Sequence, residues 1–273
     1  MKIVFVGAGR LATQLAKALH AAGHDIPAVF SRTMESATEL CHKVGGVPTD
    51  SIETLPNSAD AFIIAVKDGV LPGVIHRLAV GREQQAFFHT AGSVPMSVFG
   101  SHACHGVVYP MQTFSKERDV DFARVPFFIE GNSERACRLA RVLASAVSHS
   151  VSELPSEKRR YLHLAAVFAC NFSNHCYTLA ASLLERHGLP FSAMLPLIEE
   201  TAEKVKTMPP QMAQTGPAVR YDENVMQAQL TLLHDDPRMQ EVYRLMSLSI
   251  HECQTLADSP ATPPPHIQSA DHD

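Results

Sequence analysis

Three absences remove whole classes of function from this sequence. No stretch approaches the roughly 18 uninterrupted apolar residues that a membrane-spanning helix needs. The apolar start, Lys2 to Val6, is too short for a secretion signal and runs straight into glycines. A soluble, cytoplasmic protein with no membrane partner is therefore expected. No basic run accompanies the net charge of -5, so the footprint for a nucleic-acid backbone is missing. The six cysteines form no CxxC pair, which argues against a disulfide framework or a zinc ribbon. Metal-type ligands crowd together at His102-Ala103-Cys104-His105, but zinc needs three or four ligands in fixed geometry. No second cluster completes the set, so no metal is expected.

What remains is an ordinary globular chain of 273 residues, 45% hydrophobic and 19% charged, long enough for two domains. In its first half, apolar strands (KIVFVG, IPAVFS, AFIIAV, AFFHT, GVVYP, PFFIEG) alternate with amphipathic segments. That order predicts an α/β fold, a doubly wound and mostly parallel sheet with helices on both faces. Near Val151 the texture turns helical. A single long helix is expected from Glu157 to His187, stopped by Gly188 and Pro190, with further helices over 191–206, 223–234 and 237–257. Residues 1–152 read as a nucleotide-binding domain, 153–257 as an all-α substrate and dimerisation domain, and 258–273, rich in proline and small polar residues, as a disordered tail.

Gly7-Ala8-Gly9-Arg10-Leu11-Ala12 is a GxGxxA string between the first strand and the first helix. In that context the first glycine permits a tight turn, the second admits a pyrophosphate to the backbone, and the alanine lets helix and strand pack closely. The helix N-terminus then offers amide donors to the phosphates. The second strand ends in Ser31-Arg32-Thr33, with no carboxylate before Glu35. An NAD site usually places an acid there for the adenosine ribose; a cation flanked by two hydroxyls suits a 2'-phosphate instead. NADP(H) is the expected cofactor. Ala65-Val66-Lys67-Asp68 and His89-Thr90-Ala91-Gly92-Ser93 end two further strands, at the edge where open α/β sheets bind ligands. Ala65, Val66, Lys67, His89 and Thr90 are accordingly expected to face the cofactor.

These strings, with YPMQTFS from Tyr109, AAVFACNFSNH and TGPAVRYD, resemble the Rossmann-like proteins that carry an uncharacterised helical C-terminal domain. More distantly the layout is similar to pyrroline-5-carboxylate reductase, ketopantoate reductase and 6-phosphogluconate dehydrogenase. The resemblance implies an NADP-dependent oxidoreductase. Two departures stand out. Tyr109 occupies a position where a histidine is expected in relatives, and no lysine lies between Lys158 and Lys204, where related dehydrogenases carry a catalytic lysine and asparagine on the long helix.

His163, Val167, Asn171 and Asn174 recur at helical spacing and predict a polar floor for a substrate pocket. Histidine titrates near neutrality, at about 6.5, which makes His163 the expected proton donor, with Asn171 polarising the acceptor. Arg220 follows a Gly-Pro turn and is expected to hold a substrate carboxylate through two parallel hydrogen bonds. The long helix is apolar on more than one face, which predicts a homodimer through the helical domain. The whole reads as hydride transfer between NADP(H) and a small carbonyl or imine compound. The alternatives are a non-catalytic NADP sensor or assembly protein, and ketopantoate reductase itself.

Overall fold

The computed structural model describes residues 1–115 and 118–258; the rest of the expected tail lies outside the described residues. The chain divides into two compact units, 1–172 and 173 onward.

The first unit is built on a sheet of eight strands: β1 (Ile3–Val6), β2 (Ala28–Phe30), β3 (Val47–Thr49), β4 (Ala61–Ile64), β5 (Ala86–His89), β6 (Cys104–Pro110), β7 (Phe127–Gly131) and β8 (Val151–Glu153). Their order is β3-β2-β1-β4-β5-β6-β7-β8. Among the described residues only the β6–β7 pair is antiparallel. Along β1 the alternation of the strand sends Ile3 and Phe5 into one apolar cluster, with Leu15 and Leu19 of helix α1 (Arg10–Ala21) and Leu40 of α2 (Met34–Val44). Val4 and Val6 enter the opposite cluster, with Leu71, Ile75 and Leu78 of α3 (Leu71–Ala79). A strand buried on both faces reads as an unbroken apolar run, which is why IVFV carries no polar residue. The edge strands β3 and β8 are three residues each, too short to show periodicity, and were not expected. Helix α4 (Glu134–Ser145), capped by Ser133 Oγ accepting from Ala136 N at 3.2 Å, was likewise not anticipated.

The sheet ends one residue past the expected boundary at 152, yet the compact unit runs on to Phe172. The reason is Arg159 in α5 (Ser156–Ala166), whose side chain is 1% exposed. Its guanidinium donates to Glu130 Oε2 of β7 at 2.6 Å and to the Val94 carbonyl at 2.7 Å. Ser156 Oγ donates to the same Glu130 oxygen at 2.6 Å and accepts from Met96 N at 2.9 Å. The start of the long helix is thereby fastened to the sheet.

That helix is not uniform. A π-helical stretch, Val167–Phe172, separates α5 from α6 (Ser173–Arg186). Its i to i+5 bonds break the 3.6-residue period, so the expected single face through His163, Val167, Asn171 and Asn174 does not continue past Ala166. Asn171 is exposed. The second unit comprises α6, α7 (Leu195–Thr207), the short α8 (Pro210–Ala213), α9 (Glu223–Leu232) and α10 (Pro237–Asp258). Inside it, Arg186 reaches Asp235 at 3.8 Å and Asp236 at 3.6 Å.

Removing one partner of a buried ion pair strands the other charge, a loss of about 3–5 kcal/mol. Glu130→Ala should lower the unfolding free energy by about that much. Urea denaturation is the check; a loss under about 1 kcal/mol would class the pair with exposed ones.

Candidate active site

The carboxyl ends of β1, β2 and β4 lie side by side, with Val6 in register with both Phe30 and Ile64. They open into a cleft of about 520 Å³. Gly7, Ala8, Gly9, Arg10 and Leu11 line it from the β1–α1 turn, Ser31 and Arg32 from the end of β2, and Ala65, Val66 and Lys67 from the end of β4. The turn has the geometry that a phosphate cradle demands. At Gly7, φ is +120°, and a Cβ there would stand 2.3 Å from the Ala65 carbonyl oxygen. At Gly9 a Cβ would meet no heavy atom within 4 Å, so the backbone faces open space. Gly9 caps α1 without any side-chain bond, which leaves the first amides of the helix for a ligand. The residues present therefore fit a dinucleotide pyrophosphate.

The lining carries cations and no carboxylate: Arg10, Arg32, Lys67 and, unanticipated, Arg77 of α3. Among the described residues the first three form no ion pair, whereas Arg77 donates to Glu53 Oε1 at 2.7 Å. Hydrogen bonds from Ser51 and then Arg77 hold Glu53 down to about 2, so that pair stays charged at neutral pH. Arg77 escaped detection because α3 was not assigned; an arginine one helix beyond AVKD was the available signal.

Three expected contacts fall outside the cleft. Thr33 precedes α2 and its Oγ1 donates to Ser36 Oγ at 2.9 Å. Thr90 is buried, its amide bonded to the Ile64 carbonyl at 3.3 Å. His89 has no exposed surface. Its Nδ1 accepts from Ala91 N at 3.1 Å and its ring stacks on Phe99 at 5.5 Å. Burial, with the Arg159 charge second, lowers its pKa to about 3. The strand's pleat turns this side chain inward, away from the ligand edge.

The ends of β5 and β6 bring together a second group. Tyr109 Oη lies 3.0 Å from His163 Nδ1, the two rings meeting edge to face at 6.0 Å. Gly92 sits against both: a Cβ there would come 2.5 Å from His163 Nδ1 and 2.9 Å from Tyr109 Cζ. Burial raises the Tyr109 pKa, which keeps the phenol protonated. Ser93 Oγ donates to Asp68 Oδ2 and ties this edge to the end of β4. The clustered His102 and His105 serve the fold: His102 stacks on Phe87 at 4.0 Å, and His105 Nδ1 lies 2.7 Å from the His102 carbonyl.

In the second unit Arg220 is exposed and, among the described residues, has no ion-pair partner. Asp222, two residues on, caps α9 instead, accepting from Val225 N at 3.3 Å. Between them Tyr221 holds φ at +50°, a left-handed conformation unusual for a bulky residue, with its ring 4.4 Å from that of His251.

Two family models match in tandem. One, described as NADP oxidoreductase coenzyme F420-dependent, covers residues 2–87; the other, a domain of unknown function (DUF2520), covers 125–250. A Bacteroides fragilis protein whose name proposes it as an NADP oxidoreductase is 50% identical, with a TM-score of 0.88 over 92% of this chain and 98% of that one. An imine reductase from Myxococcus stipitatus in complex with NADP+ shares the fold at 16% identity and a TM-score of 0.65, over 94% of each chain. So does 1-pyrroline-5-carboxylate reductase from Streptococcus pyogenes, at 15% identity and a TM-score of 0.60, over 92% of this chain and 98% of that one. No curated protein matches the chain. The chain belongs to the family of the Bacteroides protein, NADP oxidoreductases in which a Rossmann domain precedes a DUF2520 domain. No helix among the described residues is long and apolar enough to cross a membrane.

The buried His89 makes stability depend on pH. Its folded pKa of about 3 lies below the unfolded value of about 6.5, so between those limits the unfolded chain binds more protons. The contribution is complete above about pH 6.5 and is lost as pH falls, at about 1.4 kcal/mol per pH unit. His89→Asn, which keeps an acceptor for Ala91 N, should flatten the slope of unfolding free energy between about pH 6 and pH 4. Parallel slopes for wild type and variant would show that His89 is protonated in the fold.

Proposed function

We propose that this protein reduces the C=N or C=O bond of a small carboxylate-bearing compound with NADPH. The observation that carries the reading is the cleft at the β1, β2 and β4 ends, where Arg10, Arg32 and Lys67 stand unpaired among the described residues and no acid lines the wall. A 2'-phosphate brings extra negative charge that such a wall attracts, while the ribose hydroxyls of NADH find no carboxylate to accept from them. Gly7 to Leu11 hold the pyrophosphate, Ser31 and Arg32 the 2'-phosphate, and Ala65 to Lys67 border the rest of the cofactor. When bound, NADPH supplies the hydride. His163 supplies the proton to the acceptor's nitrogen or oxygen. Arg220, unpaired among the described residues, holds the substrate carboxylate; Asn171, off the face of His163 within the π-helical stretch, is given no role. The imine and pyrroline-carboxylate chemistry named for the two distant relatives points to an imine acid rather than to ketopantoate.

We also infer a homodimer through the helical unit. Its surface carries large apolar side chains, among them Leu197 at 62%, Met212 at 76% and Leu232 at 73% exposure, and few of its described residues are buried. Exposed apolar area on that scale marks an interface.

Two variants separate cofactor from substrate recognition. Wild type should bind NADPH more than about tenfold more tightly than NADH, because a charge-assisted contact contributes about 1.5–3 kcal/mol. Arg32→Ala should erase most of that preference, whereas Arg220→Ala should raise KM for acidic imines and leave the NADPH Kd unchanged. Equal affinities for the two cofactors in the wild type would sink the assignment of Arg32. Tight NADPH binding without turnover across a panel of imines and oxo acids would replace the enzyme by a non-catalytic sensor. Light scattering at micromolar concentration should give twice the chain mass; a monomer would remove the dimer.

A further inference from the structure

We propose that Tyr109 is a positioning residue that reserves His163 Nδ1, so that Nε2 is the single nitrogen through which His163 exchanges a proton with substrate. The inference rests on the reductase reading above, in which His163 is the proton donor, and adds which atom does the work and what holds it.

The geometry carries it from three sides. The Tyr109 hydroxyl sits 3.0 Å from Nδ1. The Gly92 backbone closes the same side of the ring, since even one added carbon would come within 2.5 Å of Nδ1. Among the described residues Nε2 has no hydrogen-bond partner. The helix is tied to the loop beside the ring, because Arg159, one helical turn earlier, is bonded to the Val94 carbonyl, two residues after Gly92. Helix and loop are thus fixed to one another at both points.

A phenol can serve both protonation states of an imidazole. To the neutral ring it donates its O–H at Nδ1, which puts the ring proton on Nε2. From the imidazolium it accepts the Nδ1–H. In the reduction, the acceptor carbon gains the hydride and the cofactor is oxidised. The Nε2–H bond of the imidazolium breaks, its electron pair stays on the ring, and the proton joins the acceptor's nitrogen or oxygen. The neutral ring then regains a proton from solvent. At no stage does Tyr109 have to lose its own proton, which agrees with its burial.

Nitrogen-15 NMR of the full-length protein labelled at histidine tests the first half without any substrate, with His163→Gln identifying the resonance. In wild type at a pH where the ring is neutral, His163 should show the Nε2–H tautomer. Tyr109→Phe should convert it to a mixture of tautomers while NADPH affinity stays at the wild-type value. A resting Nδ1–H tautomer, or a tautomer indifferent to Tyr109→Phe, overturns the proposal. For the second half, Tyr109→Phe should lower kcat on the order of tenfold or more with little change in KM, and Gly92→Ala, which displaces the ring by contact, should behave alike. A Tyr109→Phe enzyme with wild-type kcat also overturns it. If no substrate turns over, the reductase reading fails while the tautomer result still stands or falls alone.

Discussion

The buried guanidinium of Arg159 is the constraint on which the edge bearing Tyr109 and His163 depends. Taking a charge out of water is expensive, and a buried pair is weak evidence for net stability. Arg159 is not even fully satisfied, since its Nε has no partner among the described residues. What the group supplies is register. A planar fork that must meet a Glu130 oxygen, a carbonyl and a hydroxyl at 2.6, 2.7 and 3.1 Å accepts one docking of helix on sheet, where a leucine would accept several. Because a helix repeats every 3.6 residues, fixing Arg159 also fixes His163, one turn on, over Gly92 and Tyr109.

The same charge explains two titration effects nearby. Arg159 adds to burial in holding His89 neutral, and it opposes burial at Tyr109. His89 thus behaves as a core residue that resembles a ligand only in its type. Its Nδ1 shapes the turn after β5 through Ala91 N, and that turn delivers Gly92 to the ring of His163.

The cleft at the ends of β1, β2 and β4 was legible in the sequence because it is built locally. A phosphate cradle needs three small residues within six positions, between a strand and a helix, and GAGRLA met that requirement. Arg32 was legible because it stands where the strand ends. The edge bearing Tyr109 and His163 was less so, since the two are 54 residues apart and no spacing rule links them; each was named, but not their pairing. His89 was misplaced because neighbouring strand residues face opposite ways, and periodicity in a doubly buried strand does not tell which way the last one points. The π-helical stretch left no trace in composition either, and it alone undoes the expected common face of His163 and Asn171. Similar logic hid Arg77: its value depends on α3 returning over the cleft, which is a tertiary fact.

The cleft proposed for the cofactor and the Tyr109–His163 pair proposed for proton transfer occupy different strand ends, β1, β2 and β4 for the first, β5 and β6 for the second. The cleft is shaped by backbone: Gly7 lies so close to the Ala65 carbonyl that little can shift without moving two strands. The Tyr109–His163 pair is shaped by side chains held by one arginine. Such a division lets the two respond separately to substitution, because charge at Arg32 and bonding at Tyr109 share no partner. They are linked at the seam, where Ser93, next to Gly92, bonds Asp68, next to Lys67. Since that bond spans adjacent strands already paired at Ile64 and His89, it sets the loops and not the sheet. A change there alters how the two edges face each other while leaving each intact.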